Sequence, residues 1–141
     1  MHLAELSDTL PNGLHDAELH RLEMDFTSGR LLVTLDVWVG DMQDPSRREA
    51  YRRAHLTISA VSSLVIEPPG APNLRLTPGS IRIDVGYDHL PHDVANLPTP
   101  PPGHCRAYFF LDDLNTFLHV VGGTADLAWQ GEEWVSRSTV P

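Results

Sequence analysis

Between Ala17 and Val39 the chain alternates apolar and polar residues with a period of two, and no other stretch constrains the fold as much. Leu22, Met24 and Phe26 alternate with Arg21, Glu23 and Asp25; further on, Leu31, Val33, Leu35, Val37 and Val39 alternate with Leu32, Thr34, Asp36 and Trp38. That period is the mark of a strand with one buried face, so the segment reads as one long β-hairpin. Reversal at Ser28-Gly29, where glycine supplies the positive φ of a tight turn, sets Phe26 opposite Leu31, Met24 opposite Val33 and Leu22 opposite Leu35. Arg21 then meets Asp36 on the other face, and His20 falls on the apolar face opposite Val37. A slip of one residue would turn every apolar side chain the wrong way.

Before the hairpin, residues 1–16 read as an irregular lead-in, with Leu3, Leu6 and Leu10 covering a sheet edge and Pro11-Asn12-Gly13 as a turn. After it, Asp44-Pro45 is a helix-start signal and predicts a short helix over Pro45 to Arg53. Leu56 to Ile66 reads as one bulged strand or two short ones, Leu74 to Leu76 as a short strand, and Ile81 to Tyr87 as a clearer one. Pro91, Pro98, Pro100, Pro101 and Pro102 make 88–103 a long loop or a polyproline-like strap.

The last third reads as a meander of Arg106 to Leu111, Thr116 to Val121 and Thr124 to Trp129, with Gly122-Gly123 as a hairpin turn. That turn pairs Leu118 with Leu127, Val120 with Ala125 and His119 with Asp126, while Leu111 facing Thr116 puts Tyr108 across from His119. Thr116 to Val121 is apolar on both faces and belongs inside its sheet. The expected fold is mainly β: an antiparallel β-sandwich or flattened barrel of about eight strands with one short helix.

A chain of 141 residues is one domain's worth, long enough to bury roughly 68% of its unfolded surface in a single core. Its 41% hydrophobic and 21% charged residues are those of a globular chain. No apolar run approaches the ~20 residues of a membrane helix, and MHLAELSDTLPNG lacks the basic and apolar regions of a secretory signal, so a cytoplasmic location is expected. A net charge of -9 argues against nucleic acid or an anionic membrane as partner. The one basic cluster, Arg47, Arg48, Arg52 and Arg53, reads as the solvated face of the short helix. A single cysteine, Cys105, excludes an internal disulfide and a thiolate zinc cage, and reads as a small buried hydrophobe at a strand start.

Three groups of residues have the makings of a site. The inferred row Tyr108, His119, Asp126 sets a carboxylate beside an imidazole, which fixes the tautomer and raises the basicity that a general base or metal ligand needs. His15, Asp16 and Glu18, with His20, concentrate titratable groups where the hairpin opens, although alternation sends His15 away from the others. His89 and His92, with His104, are the strongest metal-ligand candidates, beside the plainer reading of exposed loop histidines. There is no cupin-type H-x-H, H-E-x-x-H, G-x-S-x-G, P-loop or G-x-G-x-x-G, and no cofactor is expected. Trp129 and Trp134 read as packing at a sheet end, or as an aromatic rim for a sugar or a partner.

Leu14-His15-Asp16-Ala17-Glu18-Leu19 opens the hairpin that ends in Trp38-Val39-Gly40-Asp41, and the chain closes with Phe109-Phe110-Leu111, Phe117-Leu118-His119-Val120 and Ala125-Asp126-Leu127-Ala128-Trp129. Over about half the chain this pattern resembles small uncharacterised bacterial β-rich domains, some of whose families are predicted to be immunity proteins of polymorphic toxin systems. The resemblance implies an acidic, non-enzymatic, cytoplasmic binder that occludes a toxin, with no catalytic residues. The leading expectation is therefore a non-catalytic interaction domain with another protein as its partner. The competing ones are a small metal-dependent enzyme using the His and Asp groups, and a ligand carrier with an unfilled apolar cavity between its sheets. Open edge strands would also invite a homodimer.

Overall fold

The computed structural model describes residues 1–87 and 97–136. The fold is mainly β, as the alternation predicts. A short helix α1 (Leu3–Asp8) leads into β1 (Pro11–Leu14), β2 (Ala17–Asp25), β3 (Arg30–Trp38), β4 (Ala50–Ile58), β5 (Ser63–Ile66), β6 (Ile81–Tyr87), β7 (Cys105–Leu111), β8 (Thr116–Gly122) and β9 (Ala125–Val135), with a 3-10 turn at Asp112–Leu114. All but β1 join one antiparallel sheet in the order β5-β8-β7-β6-β2-β3-β4-β9.

That order forces the sheet to fold over. β8 and β9 stand six places apart in it, which at about 4.8 Å per strand would be roughly 29 Å in a flat sheet. Yet only Gly123 and Thr124 lie between them, and three residue steps reach at most about 11 Å. The half made of β5 to β6 therefore lies over the half made of β2 to β9, with the core between them. Leu31, Val33, Leu35 and Leu56 from one half share a single buried cluster with Phe109, Leu118 and Val120 from the other. The sheet is not closed, because β5 and β9, its end strands, do not pair with each other.

Gly122-Gly123 is thus a crossover and not the expected hairpin turn. The Ser59 and Gly123 backbones bind the crossing segments together, Ser59 N–H donating to the Thr124 carbonyl and Gly123 N–H to the Ser59 carbonyl, both at 2.8 Å. A side chain at Gly122 would stand 2.6 Å from Ile58 Cγ2, so it is close approach that demands glycine there. With that hairpin gone, β9 pairs with β4, and Leu127 faces Leu56 instead of Leu118.

The β2–β3 hairpin forms, but two residues out of the expected register. Asp25 pairs with Arg30, Met24 with Leu31 and Leu22 with Val33, because the reversal is a four-residue loop, 26–29, and not a two-residue turn. The Asp25 carboxylate accepts the Thr27 N–H at 2.9 Å and the Asp25 carbonyl accepts the Gly29 N–H at 2.9 Å, so Asp25 organises the loop and Phe26 is left 86% exposed. A bulge between Leu19 and Arg21 then swaps the faces of β2. Ala17 and Leu19 point inward with Leu22 and Met24, and His20 moves to the polar side.

The helix is not at Pro45–Arg53. Asp44 does cap, but its carboxylate accepts both the N–H and the hydroxyl of Ser46 (3.0 and 2.7 Å) in a run of turns, and from Ala50 the chain is strand. The observed helix sits in the expected irregular lead-in, where Leu3 and Leu6 carry helical spacing and are buried in the core. The chain just ahead of it closes the crossover end: the Met1 carbonyl accepts the Ala125 N–H at 2.8 Å. Residues 59–62 separate the nine-residue β4 from the four-residue β5, 74–76 form no strand, and Pro11-Asn12-Gly13, expected to turn, opens β1. Of the expected loop 88–103, residues 97–103 have no regular structure, and the remainder lies outside the described residues.

Candidate functional site

The expected polar row is half realised. Tyr108 does lie across from His119 on β7 and β8. Asp126, however, is exposed on β9 opposite Thr57, with no place beside His119. The acid that meets His119 comes from just beyond β5: Glu67 Oε2 is 2.9 Å from His119 Nε2. His119 is only 2% exposed, stacked near Phe117 (6.1 Å), which in turn packs edge-on against Tyr108 (5.7 Å) and against Phe110 (5.0 Å). The Thr116 hydroxyl fixes the neighbouring chain by donating to the Glu67 and Pro68 carbonyls.

His15 and Asp16 form the turn between β1 and β2, where Asp16 takes a left-handed φ of 54°. They meet Asp84 of β6, not Glu18. His15 Nδ1 contacts the Asp84 carboxylate, which also accepts the Asp16 N–H at 3.2 Å, and His15 Nε2 is 3.3 Å from Asp16 Oδ2. One ligand atom from each lies within 4.8 Å of the others, so these three could hold a divalent cation, though a partly exposed imidazole between two acids is equally at home as an ion-pair cluster. Glu18 is engaged elsewhere, accepting from Ser80 Oγ at 2.9 Å with Arg82 Nε 3.8 Å away. His104 Nδ1 sits 3.2 Å from Ser62 Oγ; His89 and His92 lie outside the described residues.

The bulge in β2 creates a group that strict alternation hid. His20 Nε2 is 2.7 Å from Asp36 Oδ2 and Arg53 Nε donates to Asp36 Oδ1 at 2.5 Å, across three adjacent strands. Asp36 is 3% exposed. Burial pushes its carboxyl upward, but the hydrogen bonds from Arg53 and His20 outweigh that and hold it below the usual range. The visible signal was the change of parity from Ala17 and Leu19 to Leu22 and Met24, which only an extra residue reconciles.

The other arginines of the basic cluster are also engaged. Arg47 grips the Glu133 carboxylate at 2.8 and 2.9 Å, and Arg52 lies 4.9 Å from the Trp129 ring while its Nε donates to the Gly131 carbonyl. Trp134 stacks on Tyr51 at 5.4 Å. Around Trp129 and Arg52 the sheet has a polar mouth of about 620 Å³. Cys105 is the first residue of β7, half-buried, and lines a cavity of about 140 Å³ beneath α1.

A further opening is a mainly apolar cleft of about 560 Å³ where the two halves part near the 3-10 turn. Its floor reaches the core at Leu19, Leu111, Leu114 and Leu118, all buried. Leu22 and Ile81 form its sides, and Ile66 and Leu76 stand at its rim, 58% and 70% exposed. Among the described residues, His20 and Arg21 are its only ionisable lining residues. A concave apolar surface of this size falls in the range of ligand and partner sites.

Among the described residues no helix is long and apolar enough to cross a membrane. Comparison with protein-family models, with curated proteins and with solved structures finds no match.

Proposed function

We propose that this protein is a non-catalytic binding domain that engages another protein through the apolar cleft between the halves of its sheet. The observation that carries the reading is the exposed apolar rim. Ile66 and Leu76 stand in water above a floor of buried leucines, an arrangement that costs free energy unless something covers it. The ionisable clusters, by contrast, do not gather there: of the pairs His15 with Asp84, His119 with Glu67 and His20 with Asp36, among the described residues only His20 lines the cleft, and its ring is tied to Asp36. None converges on the cleft floor, which favours binding over chemistry. An immunity-type role, occluding a basic toxin, suits the net charge of -9 and is the partner class the reading favours.

The cleft's concavity favours one second reading, a carrier of a small apolar ligand. Affinity capture from the source cell with the native protein and with the double variant Ile66→Glu/Leu76→Glu separates the two. Both residues are exposed, and circular dichroism checks that the variant keeps its fold. A stoichiometric protein retained by the native form and lost from the variant supports the proposal. Equal recovery on both contradicts it, and a small apolar molecule extracted from the native form alone favours the carrier.

A further inference from the structure

We infer that the cleft receives an extended polypeptide segment, which adds to β2 as a strand along His20–Asp25 and turns alternate apolar side chains onto the leucine floor. This rests on the reading of the protein as a protein-binding domain and specifies the form in which the partner binds.

Three observations meet at one place. β2 runs from Ala17 to Asp25, yet pairs with β6 only at Ala17, Glu18 and Leu19. Beyond Leu19, among the described residues, its far side has no strand beside it. An unpaired strand side offers a row of N–H and C=O groups to an incoming chain.

Burial across the hairpin is unequal as well. Val33 and Leu31 of β3 are fully buried, whereas Leu22 and Met24, their direct partners on the same face of β2, are only partly so. What the β2 side chains lack is a neighbour on the far side, where an added strand would lie.

The cleft is also lined by residues 76–79, the loop that leads into β6. It is therefore a slot between a strand edge and a loop, not a flat patch. A strand sends every second side chain to one face, so one seated here would drop alternate residues onto the floor while its backbone pairs with β2. A small apolar molecule would cover the floor and leave the β2 backbone as it is. A convex folded surface would not enter the slot.

The probe is a fluorescein-labelled peptide, acetyl-Lys-Val-Thr-Val-Thr-Val-Lys-amide, with two further forms N-methylated on the valines or on the threonines. Binding is read by fluorescence anisotropy. Pairing on one edge uses the N–H groups of alternate residues only. One methylated form should then bind at least tenfold more weakly than the parent, while the other stays close to it. Leu76→Glu and Ile66→Glu should each weaken the parent peptide by a similar factor, with circular dichroism confirming an unchanged fold. Equal binding of all three peptides, or binding of dodecanoate with none of the peptides, overturns the inference. If the peptides fail while a cell-derived protein is still lost from Ile66→Glu/Leu76→Glu, strand addition is wrong and the protein-binding reading stands; if both fail, both fall.

Discussion

Replacing Asp36 with asparagine tests the one buried ion-pair group that the β2 bulge creates. The substitution keeps the volume and removes the charge from a carboxylate that accepts from Arg53 at 2.5 Å and His20 at 2.7 Å. A hydrogen bond to a charged group contributes roughly 1.5–3 kcal/mol, so two of them set a ceiling of roughly 3–6 kcal/mol. Arg53 and His20 are partly exposed and recover hydration once Asp36 is neutralised, which lowers the expected loss to about 2 kcal/mol. For a chain of this size that is a fall in Tm of roughly 6–8 °C. The pH dependence gives a second check. Folding holds Asp36 below its ordinary value, about 3.9. Its contribution is therefore complete above that value and is lost as pH falls through the lower, folded-state one. Thermal unfolding of both proteins, followed by circular dichroism from pH 7 down to about pH 2, should show a gap that is full at neutral pH and closes in acid. A gap of less than about 0.5 kcal/mol at pH 7, or one that does not change with pH, would refute the bulged geometry of His20, Asp36 and Arg53.

Two further substitutions probe the fold. Phe26→Ser should leave urea stability within about 0.5 kcal/mol, because Phe26 is in the loop, whereas Met24→Ala, partly buried opposite Leu31, should cost about 1–2 kcal/mol; the reverse order would restore the two-residue turn. Gly86 lies directly under the Tyr108 ring, where any Cβ would collide with it, so Gly86→Ala should cost about 1–3 kcal/mol. Adding Tyr108→Ala should recover part of that cost, and a strictly additive double variant would contradict the contact.

Much of this architecture is legible in the chain because its strands bury one face each. Leu31, Val33, Leu35 and Val37 alternate and are all buried, and the β7–β8 register with Tyr108 across from His119 follows from a short connection. What misleads is local chemistry with more than one solution. Asp44-Pro45 begins a helix or an Asx turn equally well, and Ser46 takes the turn. Gly122-Gly123 suits a hairpin as well as a close crossover, and the choice is made by Ile58 and Ser59 far away in sequence. Glu67, the acid beside His119, lies 52 residues away along the chain, and no spacing pattern announces such a pair. The apolar cleft is equally hidden: Ile66 and Leu76 look like core residues until the fold shows that their strand and loop end at an opening.

Backbone amide exchange, read by mass spectrometry on the protein alone and in complex with a partner from its own cell, examines the binding site most directly. The cleft reading predicts slowed exchange across 19–25 and 74–81, with β9 unchanged. Protection confined to β9 or to the turn around His15 and Asp16 would place the partner elsewhere and contradict it.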